Sequence, residues 1–132
     1  MIGTNAVVDE TFSSPSAEGA IAIGNCATAK YNAIAIGDSA STIISHSSSA
    51  IAIGKVATAT DNSIAIGAFA TTGDNAYWNG NNSIVIGNNS STNNSSDSIV
   101  LGQQSLANNT ALAIGNNLQV DQGSICISLH GS

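Results

Sequence analysis

The sequence contains no arginine, and its only basic side chains are Lys30 and Lys55. Against eight acids they leave a formal charge of −6, so there is almost nothing with which to neutralise a phosphate backbone. Nucleic acid is therefore not expected as a partner. Proline occurs once, at Pro15, and aromatic residues make up 4 % of the chain, so a core built round large rings is not available. The two cysteines, Cys26 and Cys126, form no C-x-x-C motif and no ligand cluster with His46 or His130. Neither a metal nor any other cofactor is expected. No apolar run approaches the ~18 residues of a membrane helix, and the N-terminus shows neither the basic region nor the apolar stretch of a secretory signal. Direct membrane insertion is not expected. The strong helix formers Glu, Lys, Gln and Leu are scarce.

What is present is small, branched or polar: twenty Ala, seventeen Ile, thirteen Gly and 46 Ser, Thr and Asn among 132 residues. With charged residues at 8 %, the chain is polar without being charged, which suits an all-β fold with many turns rather than a charge-driven disordered tail.

A repeat organises most of it. The pattern small-Ile-small-Ile-Gly runs through Ala20 to Gly24, Ala33 to Gly37, Ala50 to Gly54, Ser63 to Gly67 and Ser83 to Gly87. It continues, with Leu for one Ile, through Ser98 to Gly102 and Ala111 to Gly115. An eighth copy, Ser124 to Ser128, replaces the Gly by Ser, as a terminal capping coil would. Successive Gly-equivalent positions lie 13, 17, 13, 20, 15, 13 and 13 residues apart, a period of 13 with insertions of four, seven and two. The third and fifth residues after each Gly are small or apolar, as in Ala27 and Ala29, Ala57 and Ala59, or Ser105 and Ala107. Alternation with period two marks two short strands per repeat, with Gly at one corner and a polar turn such as Thr60-Asp61-Asn62 at the other. These features predict an all-β parallel β-roll solenoid of about eight two-stranded coils over residues 20–132, a rod roughly 38 Å long at ~4.8 Å per coil.

The Ile pair of each first strand is expected inside the roll. The central residue of that strand, Ala22, Ala35, Ala52, Ala65, Val85, Val100, Ala113 or Cys126, then points outward. None of these is polar, so this column predicts close packing against further copies of the chain. The second strand's outward column, Thr28, Ser41, Thr58, Thr71, Ser91, Leu106 and Gln119, is expected to face water. Its flat hydroxyl ladder also raises an ice-binding reading, which the want of a sustained Thr-x-Thr pair disfavours.

The repeats Asn62-Ser63-Ile64-Ala65-Ile66-Gly67 and Asn82-Ser83-Ile84-Val85-Ile86-Gly87, each followed by a small-x-small strand, resemble the head repeats of trimeric autotransporter adhesins, the YadA-type heads. The resemblance covers about residues 20 to 128. It implies a left-handed roll, three chains packed side by side as a homotrimer, for which the apolar central-residue column is the expected interface, and a surface-exposed role in attachment to host matrix or cells. The localisation implied is the cell surface or extracellular space. No neck, coiled-coil stalk or C-terminal membrane barrel follows the roll, which fits an excised head or a virus or phage fibre at a virion surface. Residues 1–19 lie outside the repeat and form either a poorly ordered terminus or an attachment peptide docking on a larger virion or cell-surface assembly.

Three insertions lengthen the same polar corner and so emerge along one edge. The longest carries Asp74, Asn75, Tyr77, Trp78 and Asn79, and its adjacent aromatics suit stacking on a glycan, insertion into a host protein, or folding back over the neighbouring coil. His46 lies in another insertion with no partner residue for a metal site. The segment Ile36 to Ser41 superficially matches the hexapeptide repeat of β-helix acyltransferases, but their coils need about 18 residues. No nucleophile, base and acid converge at a known spacing, so a non-catalytic module is expected.

Overall fold

The computed structural model describes residues 1–8, 19–42, 49–73, 81–93 and 96–129. Among these residues there is no helix; sixteen short strands form two eight-stranded parallel sheets. The first sheet contains β2 (Ile21–Ile23), β4 (Ile34–Ile36), β6 (Ile51–Ile53), β8 (Ile64–Ile66), β10 (Ile84–Ile86), β12 (Ile99–Leu101), β14 (Leu112–Ile114) and β16 (Ile125–Ile127). The second contains β1 (Val7–Val8), β3 (Thr28–Ala29), β5 (Ser41–Thr42), β7 (Thr58–Ala59), β9 (Thr71–Thr72), β11 (Ser91–Asn93), β13 (Leu106–Asn108) and β15 (Gln119–Val120). The chain alternates between the sheets, and each strand pairs with its counterparts one coil away. This is a parallel β-solenoid.

Register follows the repeat despite the insertions, because the extra residues fall between the second strand of one coil and the first strand of the next. Ile34 pairs with Ile51, and Ile84 with Ile64, across spacings that differ from 13. Glycine holds the other corner. At Gly24, with φ +135°, a Cβ would run into the Gly37 carbonyl oxygen, and at Gly54 into that of Gly67. Coils therefore stack backbone against backbone at this column. Two residues later the chain takes a left-handed conformation in every coil, at Cys26, Ser39, Val56, Phe69, Asn89, Gln104 and Asn117, with φ between 52° and 58°. The amide there donates to the coil before it, as Val56 N–H does to Asp38 O at 2.8 Å and Phe69 N–H to Lys55 O at 2.9 Å.

The interior is made of small side chains. Ala22, Ala35, Ala52, Ala65, Val85, Val100 and Ala113 are fully buried, opposite Ala27, Ala29, Ala57, Ala59 and their equivalents on the second sheet. Cys126 is partly buried and packs on the end of this core. The expected facing of the first strand is thus reversed: its central residue points inward, and its Ile pair points out. The cause is width. Sheets stacked through large side chains sit ~10 Å apart, and a coil of two- and three-residue strands joined by tight corners is too narrow for a layer of isoleucines.

Later coils place Ser where earlier ones have Ala, and the hydroxyls bond between coils. Ser90 Oγ donates to Gly102 O (2.8 Å) and accepts from Ser105 N–H (3.1 Å). Ser105 Oγ repeats this with Gly115 O (2.8 Å) and Leu118 N–H (3.1 Å). In the Ala coils the same amide turns back on its own corner, as Ala57 N–H does to Gly54 O at 3.3 Å. Buried hydroxyls are tolerated because each has a partner.

Residues 1–8 belong to the stack rather than to a leader. Ile2 bridges Ile23, Val7–Val8 pairs with Thr28–Ala29, and Ala6 is buried where Ala27 lies one coil on. Met1-Ile2-Gly3-Thr4-Asn5-Ala6 is a shortened copy of the repeat, with Gly3 stacked on Gly24 like the other corner glycines. Of the segment read as a leader, residues 9–18 lie outside the described residues.

Candidate functional site

Turning the Ile pair outward leaves a face that nothing among the described residues covers. Each of the eight first-sheet strands contributes two aliphatic residues, in columns that run from Ile21 through Ile34, Ile51 and Ile64 to Ile125, and from Ile23 through Ile36 and Ile53 to Ile127. All sixteen are partly or fully exposed, and none of the repeats small-Ile-small-Ile-Gly brings a charge into the face. Exposure is greatest at the ends, where Ile125 and Ile127 are 73 % and 65 % exposed, and at Ile21 and Ile86. A flat, uncharged aliphatic strip along the whole rod is a surface that soluble monomers rarely leave open.

The residues assigned to the subunit interface from the sequence, Ala22, Ala35, Ala52, Ala65, Val85, Val100, Ala113 and Cys126, do not form this face. Seven are sealed inside the roll and Cys126 caps it. The outward column of the second sheet is where the alternation placed it, with Thr28, Ser41, Thr58, Thr71, Ser91 and Leu106 half-buried and Gln119 exposed. The proposed receptor loop, Asp74, Asn75, Tyr77, Trp78 and Asn79, lies outside the described residues, as does His46. The loop's flanks do not: Thr72 and Gly73 end one coil and Asn81 opens the next, at the edge where the other insertions also leave the roll.

Among the described residues there is no cluster of three metal-ligating side chains and no helix long and apolar enough to cross a membrane. The fold and its surface define a class: a parallel β-solenoid with a narrow, small-residue core, one aliphatic face and one hydroxyl-bearing face. No family model, curated protein or solved structure matches the chain.

Proposed function

We propose that this chain is a non-catalytic head module that assembles as a homotrimer through its aliphatic face and serves attachment at a cell or virion surface. The observation that carries the proposal is the uninterrupted strip of outward Ile and Leu. Burying a fully exposed Leu or Ile side chain is worth about 1.5–3 kcal/mol, and the strip leaves part of that gain open at each of its sixteen positions per chain, so self-association is the economical way to remove it from water. Three-fold symmetry, left-handedness and the attachment role come from the resemblance of the repeats to YadA-type heads. In such an assembly the aliphatic strips meet round a common axis and the hydroxyl-bearing sheets face outward, available to a host protein or glycan.

The test is mass in solution with face-specific variants. Light scattering at micromolar concentration should give about three times the 13.1 kDa chain mass. Ile64→Asp, which places a charge in the strip, should shift the mass toward that of a single chain. Thr58→Asp, on the opposite sheet, should leave it unchanged. A parent protein of single-chain mass would overturn the proposal.

A further inference from the structure

The hydroxyl-bearing face is not uniform. Over β9 and β11 it holds a depression of about 380 Å³, lined among others by Thr58, Phe69, Thr71, Asn89, Ser91 and Asn93. The pairing of Thr71 with Ser91 sets two rows side by side: Phe69, Thr71 and Gly73 in one coil, and Asn89, Ser91 and Asn93 in the next. Alternate residues share the outward face, so these rows form the floor and rim, and Gly73 adds no side chain to fill the floor.

Phe69 is the unusual member. It is 50 % exposed and sits at the left-handed corner with φ +58°, a conformation that bulky L-residues rarely adopt. One other coil puts Val56 there, and the rest put Asn, Ser, Cys or Gln, at Asn5, Ser39, Asn89, Asn117, Cys26 and Gln104. The left-handed φ belongs to the corner of every coil, but Phe69 is the one aromatic ring among the described corner residues, and it stands half-exposed at the depression.

We infer that this depression binds one or two rings of an uncharged saccharide. The chemistry is complementary: the face of an aromatic ring stacks on the C–H face of a pyranose, while amides and hydroxyls exchange hydrogen bonds with its hydroxyl groups. None of the described lining residues is ionisable, which suits a neutral ligand rather than an anionic or cationic one. The volume is at the small end of ligand sites, enough for a terminal sugar and not for a large cofactor. The inference deepens the attachment half of the proposed function. It is separable from the assembly half, because the depression lies on the sheet opposite the aliphatic strip.

The experiment is saturation-transfer and amide-shift NMR on the full chain with maltotriose, cellotriose and triacetylchitotriose as probes. At least one should receive saturation at about 10 mM, a concentration that detects millimolar binding, with amide shifts centred on residues 69–73 and 89–93. Phe69→Asn should weaken binding about tenfold or more without lowering the melting temperature, since Asn suits the corner better than Phe. Val56→Asn, which makes the same change one coil away, should bind like the parent. Absence of transfer to all three probes, or binding that survives Phe69→Asn undiminished, would sink the inference. A trimer that binds none of them would leave the assembly reading standing, and a sugar-binding monomer would do the reverse.

Discussion

Val56 and Phe69 hold φ values of +56° and +58° at a corner where other coils have Asn5, Asn89 and Asn117, and Asn is more at ease in that conformation. For a β-branched side chain the left-handed region costs roughly 1–2 kcal/mol, and Val56 is 36 % exposed, so little packing is lost with it. Val56→Asn is therefore expected to stabilise the chain by about 1 kcal/mol, measured as a higher denaturation midpoint with an unchanged slope. The corner before it behaves in the opposite way. Gly54→Ala would add a Cβ against the Gly67 carbonyl, a collision with backbone that no rotamer relieves, besides straining φ +134°. That single methyl should cost about 3 kcal/mol or more, visible as a lowered melting temperature.

At the level of the strand, side-chain facing decides what a substitution does. Ala65 and Ile64 are neighbours in β8, yet Ala65 is fully buried between the sheets and Ile64 lies on the outer strip. Ala65→Asp should unfold the chain, because a carboxylate sealed among alanines has neither partner nor water. Ile64→Asp should keep the β-sheet circular dichroism signal and lose only self-association. The repeat, its period, both strands and both corners were legible in the sequence, since glycine spacing and alternation are local signals. The sign of the alternation was not. Alternation groups Ser63 and Ala65 on one face and Ile64 and Ile66 on the other without saying which face is inside, and the usual preference for large apolar cores favours the wrong choice. Serine at positions 63, 83 and 98 falls on the buried face as well. Its burial is acceptable only because Ser63 Oγ accepts from Ser83 N–H at 3.0 Å and Ser83 Oγ from Ser98 N–H at 3.2 Å, contacts between coils that composition does not reveal. Volume carries the answer: except at the two ends, where Val8, Leu118 and Val120 turn inward, the second strand's inward residues are Ala, Ser or Thr, too small to complement an isoleucine layer in so narrow a coil. Residues 1–8 escaped for a different reason: Gly3 precedes Gly24 by 21 residues and carries half a motif, too little to register as a period. Phe69 was likewise hidden, since neither its corner conformation nor the neighbouring row from the next coil is a property of local sequence.

For the whole molecule, the architecture is a one-dimensional stack in which each coil touches only its neighbours, so stability accumulates by coil and is lost from the ends. The inter-coil hydrogen bonds run along the rod, as in Ile34 N–H to Ala50 O and Ile51 N–H to Ser63 O, both 2.9 Å. Described residues from the two ends of the chain lie at opposite ends of the stack, β1 heading one sheet and β16 the other. Tension applied between the termini therefore pulls directly against those bonds and strips coils one at a time, starting where a strand has only one neighbour. Each coil released pays out its contour length, about 3.4 Å per residue less the ~4.8 Å it occupied in the rod. For a single chain held by its ends in an optical trap, the force–extension curve should be a sawtooth with steps of roughly 40 Å for coils of 13 residues, and of roughly 60 Å for the one of 20. The uneven glycine spacing would then be readable as a mechanical bar code, and a tether built this way would yield by stages under load instead of failing at once.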